Sequence, residues 1–563
     1  MRLPTIVCSS LLLLSLQAAA TVFTVKQAGG GNFTTIQACA NAAKAGDTCV
    51  VFAGTYPEHV SVASSGTAGS PITFQVNPGD TVLMQGFEIS SKAYIIIGGA
   101  AAGTGFVIQA PSTSSIRLVQ MESSNHIIIQ NNTLGGTPGG NNGGAKGFQC
   151  VRSAGGGTAP SSFVTVQNNL IQWCGLDTST IPFSLSGGIR VEGDHWLIQN
   201  NTLAHLGDGV SPYGPFMVIR NNTFGPWSCA DVGVPDGPSG SSCDFFTYHT
   251  DAIDHGCGSS TAGIPFSYSL VENNVLVQNS GPNGHFGVWQ AGTCAPAETN
   301  SIVRYNSMNN VGAFFVLDNA NSGLLPFVKL YNNTIANMTF PQCADTQLYG
   351  PGVTNTAGIN NIHYNSSVKS KSCPSGANVY TLDANSQPTF TGKNNLAFQT
   401  GCTTSCFTGT ITSMPGVVLN KDPLFVNASI NAFDFHLQPG SPAIGAGANL
   451  TNVAPTDSGS GTALVVNDAA YFSDGAGGSG TAIVSADWIR VGASTTVQIA
   501  SINYSTNVIT LANSIIRSPG DPVFLFRDSN GRVVLTGAAP DIGAFPSGIQ
   551  FVGPPLGLTV IVQ

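Results

Sequence analysis

The sequence predicts an all-β fold: a right-handed parallel β-helix with an N-terminal cap helix and a small β-rich insert near the C-terminus. Three observations carry that expectation. A short phrase recurs along the chain, an alternating apolar strand closed by Asn-Asn and one further apolar residue. The segment TTIQACANAAK (residues 34–44) is an amphipathic helix standing where a cap belongs, and the strand CVVFAG follows it. Charged residues make up 8% of the chain while glycine numbers 68, so the surface is solvated by Asn, Ser, Thr and Gln rather than by ion pairs.

The repeat reads HIIIQNNTL at His126, FVTVQNNLI at Phe163, HWLIQNNTL at His195, FMVIRNNTF at Phe216 and YSLVENNVL at Tyr268, with weaker copies at Ser301, Phe327 and Gly358. Asn200 and Asn221 are 21 residues apart, about one coil of a β-solenoid, and longer intervals imply loops. Alternation turns one face of each strand inward. Asn accepts left-handed backbone geometry, and its amide can bond to the same Asn one coil above. A sandwich of short strands would not repeat the same turn residues at the same place in successive strands. A solenoid also needs a cap to cover its terminal core and strand edges.

The first twenty residues read as a secretory signal: Met1-Arg2, an apolar run from Leu11 to Leu16, and Ala18-Ala19-Ala20 as a cleavage site. That run is short for a membrane span, and no span is expected elsewhere. Of 13 cysteines, Cys8 lies in this segment, leaving an even number that suits an oxidising compartment. Sequence proximity suggests Cys39–Cys49, Cys150–Cys174, Cys229–Cys243, Cys257–Cys294, Cys343–Cys373 and Cys402–Cys406. No CxxC pair supports a zinc-thiolate site. The net charge of −9 and the lack of a basic stripe argue against a nucleic-acid partner.

Two stretches carry a family resemblance. KAGDTCVVFAGTYPEHVSV (residues 44–62) followed by SSGTAGSPITFQV, and DPLFVNASINAFDFHLQPGSPAIGAG (residues 422–447) with the later DIGAFP, resemble the opening and closing segments of pectate-lyase-like and chondroitinase-B-like β-helix proteins. The resemblance covers residues 22–449 and 540–546. It implies the fold, and an activity among polysaccharide lyases, glycoside hydrolases, epimerases or proteins without demonstrated catalysis. The expected division is a signal peptide at 1–20, a β-helix with its cap at 21–449, an inserted β-barrel-like module at 450–539 and a closing segment at 540–563. In the insert, the flexible TDSGSGT precedes strands in ADWIRVG, TTVQIASINY, NVITLAN, DPVFLFRD and RVVLTG, with a hairpin turn at Asp528-Ser529-Asn530-Gly531.

The strands preceding the Asn-Asn strands place the candidate chemistry. Aligned, they put Phe148, Ile189, Val210, Ile253, Val288 and Phe315 on one inward rung. Gln149, Arg190, Ser211, Asp254, Trp289 and Val316 then point outward. At about 4.8 Å per coil, Asp208 and Asp251 become neighbours, and YHTDAIDHG adds Asp254, His249 and His255. Close carboxylates repel unless a cation or a proton sits between them. Calcium at Asp208, Asp251 and Asp254 would engage a uronate, whereas a protonated acid would serve glycoside cleavage. Asp208, Asp251, Asp254, Arg190, His249 and His255 are the candidate catalytic residues. Trp289, Tyr213, His285 and Lys146 are candidates for binding substrate. The carboxylates have a bland alternative as Asx caps of turns, and His126 and His195 read as structural because their position repeats.

The expected function is a secreted, monomeric protein acting on a polysaccharide, an acidic one first. The leading reaction is a lyase with Arg190 or Lys146 as base, although the sequence holds no lysine between Lys146 and Lys329. A glycoside hydrolase using paired Asp, or a non-catalytic glycan-binding surface protein, stands as the alternative.

Overall fold

The computed structural model describes residues 19–101, 103–109, 117–136, 149–153, 160–174, 176–177, 184–185, 187–206, 208–226, 250–254, 266–277, 285–291, 300–310, 313–318, 328–338, 344–349, 353–366, 378–382, 384, 387–398 and 414–548. The expected signal segment lies outside them, apart from its last two residues. Among the described residues no helix is long and apolar enough to cross a membrane.

Thr35 opens the cap helix Ile36–Ala42, its side chain accepting the amide of Ala38 at 3.2 Å. Both carboxylate oxygens of Glu58 take the next free amides, Ile36 N at 3.1 Å and Gln37 N at 2.8 Å. Ile36, Cys39 and Ala40 are buried beneath the helix, and the Cys39–Cys49 disulfide fastens it to the first coil. The Cys150–Cys174 disulfide is also present; the other four suggested pairs lie outside the described residues.

The coils stack in parallel, as the repeat requires, in a right-handed parallel β-helix. Along the Asn-Asn face, Ile129, Val166, Ile198, Ile219, Val271, Val303 and Leu330 lie in one register row and are buried in the core. The first Asn of each pair takes positive φ, for example Asn200 at 57° and Asn273 at 57°. The second Asn forms a continuous ladder from Asn132 to Asn395. At each step one amide oxygen accepts both the backbone N–H and the side-chain N–H of the Asn below, as Asn222 does for Asn201 at 3.0 Å and 3.0 Å. The strand Thr391–Lys393 and its Asn394-Asn395 belong to this series, although the alignment of repeats does not include them.

The chain leaves the solenoid after residue 449 and builds an antiparallel sheet from Thr451–Asn452, Gly459–Val465, Trp488–Val491, Thr495–Asn503, Val508–Arg517 and Pro522–Arg527. A Val453–Val466 bridge joins its two end strands, so the sheet returns on itself. Two details differ from expectation. The glycines and serines of TDSGSGT do not form a flexible lead-in: residues 459–461 pair with Ile515, Ile516 and Arg517. The apolar run RVVLTG is held by an isolated Arg527–Val533 bridge beyond the Asp528–Gly531 turn. The DIGAF segment then returns to the solenoid, with Ile542 N donating to Ala443 O and Gly543 N to Asn360 O.

The insert lies on the outer side of the Asn-Asn sheet. Val218, Leu270, Ile302 and Ala357 point outward and join Val453, Leu464, Ile489 and Ile509 in a second core. Polar outward positions are buried there too. Arg304 bridges Glu272 at 2.7 Å and Asp487 of the insert through two bonds of 2.7 Å, all three side chains fully buried. Burial pushes Asp487 up to about 6 despite this guanidinium, and Glu272 adds to the rise.

Candidate functional site

The strands Ile189–Asp194, Val210–Tyr213, Thr250–Ile253 and His285–Ala291 pair in parallel on a neighbouring face. Ile189, Val210, Ile253, Val288 and Phe315 share one row, in the register read from sequence. One position on, Arg190 pairs with Ser211, and Asp254 N donates to Val210 O at 2.9 Å on the next coil. Arg190 therefore lies two coils from Asp254.

The carboxylates converge. Asp208, Asp251 and Asp254 each present an oxygen, and those oxygens all lie within 4.8 Å of one another. Asp251 N also lies 3.4 Å from Asp208 Oδ1. Asp251 is fully buried, Asp208 is 6% exposed and Asp254 is half-buried. The cluster thus opens outward through Asp254, with Asp251 at its floor. Two oxygens bound to one calcium at 2.3–2.6 Å can be no more than about 5 Å apart. The observed separation fits a hard cation held by oxygen donors.

Arg190 stands beside the cluster. Its Nε donates to Glu192 Oε1 at 3.2 Å, and its guanidinium lies 4.8 Å from the centre of the Tyr213 ring. Burial, helped by Asp254, Asp208 and Glu192 and opposed by Arg190, pushes the Tyr213 phenol up to about 12. Tyr213 consequently keeps its proton. Glu192 Oε2 is buried without a partner among the described residues.

The register one coil lower differs from the sequence reading. Val151 pairs with Ile189 and Arg152 with Arg190, so the inward residue is Val151 rather than Phe148, and Arg152 replaces Gln149 beside Arg190. Both Phe148 and Val151 are apolar and three residues apart, and a variable loop leaves the choice open to periodicity alone. Arg152 is the residue this misses. Burial, and then the charges of Arg117 and Arg190, hold its guanidinium below the usual range.

His249, His255 and Lys146 lie outside the described residues. Trp289 and His285 fall in the strand His285–Ala291, whose side chains lie outside the description. The register of that strand against Ala313–Asp318 slips between Val288 and Gln290, with Trp289 between them.

No family model matches the chain. An uncharacterized protein of Bacillus subtilis (strain 168), YwoF, is 33% identical over 115 residues, 18% of this chain and 25% of that protein. The match thus spans about a quarter of that relative's length. Among solved structures, pectate lyase Pel9A aligns with 14% identity over 78% of this chain and 94% of its own, with a TM-score of 0.39. A PL6 family alginate lyase, AlyGC, shows 14% identity over 75% and 56%, with a TM-score of 0.39. A polygalacturonase from Erwinia carotovora ssp. carotovora shows 12% identity over 68% and 96%, with a TM-score of 0.38. Such likeness says nothing of reaction; the strand pairing itself establishes the fold.

Proposed function

We propose that this is a secreted, monomeric protein that acts on a uronic-acid-containing polysaccharide as a calcium-assisted lyase. The observation that carries the reading is the convergence of three carboxylate oxygens within 4.8 Å, on the two coils next to that of Arg190. Asp208, Asp251 and Asp254 would hold the ion. Calcium, when bound, would supply charge neutralisation of a uronate carboxylate, which makes the neighbouring proton more acidic. Arg190 would take up that proton or orient the sugar carrying it, and the Tyr213 hydroxyl would donate to an oxygen of the chain. Arg152, one coil below Arg190, extends the cationic row to the next uronate. The two disulfides accord with an oxidising compartment.

The test is a panel of acidic and neutral polysaccharides assayed with and without a calcium chelator. Unsaturated products absorbing in the near ultraviolet, lost on chelation and in Asp251→Asn, are expected. The close spacing of the carboxylates favours one second reading, a retaining glycoside hydrolase. New reducing ends without that absorbance would select it. A protein inert on the whole panel would overturn both enzymatic readings and favour a glycan-binding surface.

A further inference from the structure

A second cluster lies on a different face and uses none of the acidic residues above. Tyr94, His126, Phe163, His195 and Phe216 stack on successive coils at 4.4, 5.0, 4.5 and 4.9 Å between ring centres. Each has positive φ. Stacking alone requires an aromatic ring, and phenylalanine meets that need at two of the rungs. His195 does more. Its Nδ1 lies 2.6 Å from Asp194 Oδ1 and its Nε2 lies 2.9 Å from Ser479 Oγ, a serine of the insert. A carboxylate can only accept, so Nδ1 carries a hydrogen, and in the neutral ring Nε2 accepts from the serine hydroxyl, whose other acceptor is Thr481 O at 3.4 Å.

The rung at His126 supplies an internal comparison. His126 Nδ1 lies 2.8 Å from Asn125 Oδ1, so a neutral amide suffices to orient the ring. Asp194 adds a negative charge at the equivalent place, the group that stabilises an imidazolium when His accepts a proton. Ser479 is exposed in the loop Gly477-Gly478-Ser479-Gly480, whose three glycines all have positive φ. The Thr481 amide also donates to Ser479 Oγ at 3.2 Å. Beside His195 runs a groove of about 330 Å³, bordered by Ile96, Ile128, Thr165, Leu197 and Ile483, and among the described residues no Asp, Glu, Lys or Arg lines it.

We propose that Asp194, His195 and Ser479 form a second active site that hydrolyses uncharged carboxylic esters, the apolar part of the substrate lying in this groove. Ser479 Oγ attacks the carbonyl carbon while its proton passes to His195 Nε2. The ester C–O bond breaks, and the alcohol leaves with that proton. Water, deprotonated by His195, then splits the acyl-serine to release a carboxylic acid and restore the hydroxyl. The amide of Gly480, the residue after the nucleophile, would serve the developing oxyanion. Solenoid and insert must both be in place, since each supplies part of the site.

The full chain is incubated with a fluorophosphonate probe, and hydrolysis of p-nitrophenyl acetate and p-nitrophenyl butyrate is followed in parallel. A single covalent adduct on Ser479 is expected, with ester hydrolysis abolished in Ser479→Ala. That substitution lies in an exposed loop and should leave the circular dichroism spectrum unchanged. Asp194→Asn, which installs the amide already tolerated at position 125, should keep the thermal midpoint and slow hydrolysis on the order of 100-fold or more. No adduct at Ser479, an adduct that persists in Ser479→Ala, or equal hydrolysis by wild type and either variant overturns the proposal. None of these outcomes bears on the acidic cluster, whose test is the polysaccharide panel.

Discussion

The asparagine ladder from Asn132 to Asn395 and the cluster of Asp208, Asp251 and Asp254 use one device, a polar side chain brought against its like by coil stacking, with opposite consequences. An amide has both donor and acceptor, so each Asn satisfies the next and the row can be buried without charge. An ionised carboxylate only accepts. Three of them within 4.8 Å are held at the cost of repulsion that a proton or a positive charge must offset. The Glu272–Arg304–Asp487 contact is an intermediate case, in which the chain itself provides the guanidinium. Stacking therefore yields stability where the repeated group complements itself and, in the function proposed above, a site for an outside ion where it does not.

Four substitutions test that distinction, beginning with the largest effect. Asn222→Asp removes the donor to Asn274 Oδ1 and Ile198 O and places a charge in the ladder. It should cost on the order of 3–5 kcal/mol in denaturant unfolding; a loss below about 1 kcal/mol would show that the ladder does not depend on amide complementarity. Asp251→Asn makes the opposite change in the acidic cluster. Wild type should gain about 2.7 kcal/mol at calcium a hundredfold above its dissociation constant, read as a rise in Tm, and the variant should gain almost none.

Asp487 provides the pH test. Its folded pKa of about 6 stands above the ordinary carboxyl value of 3.8, so the folded chain holds this proton more tightly than the unfolded one. Its contribution to stability is complete below about pH 4, falls as pH rises to about 6, and is level above that. Asp487→Asn should flatten this slope, a change of about 2 kcal/mol, measured by denaturant midpoints at pH 4, 5, 6 and 7. An unchanged slope would remove Asp487 as its source. Arg152→Gln should have the smallest effect. It should raise KM for an acidic polymer severalfold with little change in kcat, whereas an unaltered KM would place Arg152 outside the substrate path.

Much of this was legible in the sequence because the repeat expresses a physical requirement. Asn-Asn pairs mark both the left-handed turn and the ladder, and the acidic nonapeptide stands out in a chain of so few charges. The Thr391–Lys393 coil escaped because TGK has no apolar alternation, its core place being filled by Gly392. Arg152 escaped because two apolar residues compete for one inward position. Ser479 and His195 lie 284 residues apart, joined only when the insert folds back on the solenoid, and no local pattern encodes such a contact. The outward residues Val218, Leu270 and Ile302 look like exposed positions of an ordinary alternating strand until the insert covers them.

The most direct measurement is a calcium titration of the full chain by isothermal calorimetry, run beside Asp251→Asn. One saturable site per chain in wild type, absent from the variant while its fold is retained, is the predicted result. No saturable heat in wild type, or the same binding in both proteins, would contradict the assignment of Asp208, Asp251 and Asp254 as a cation site.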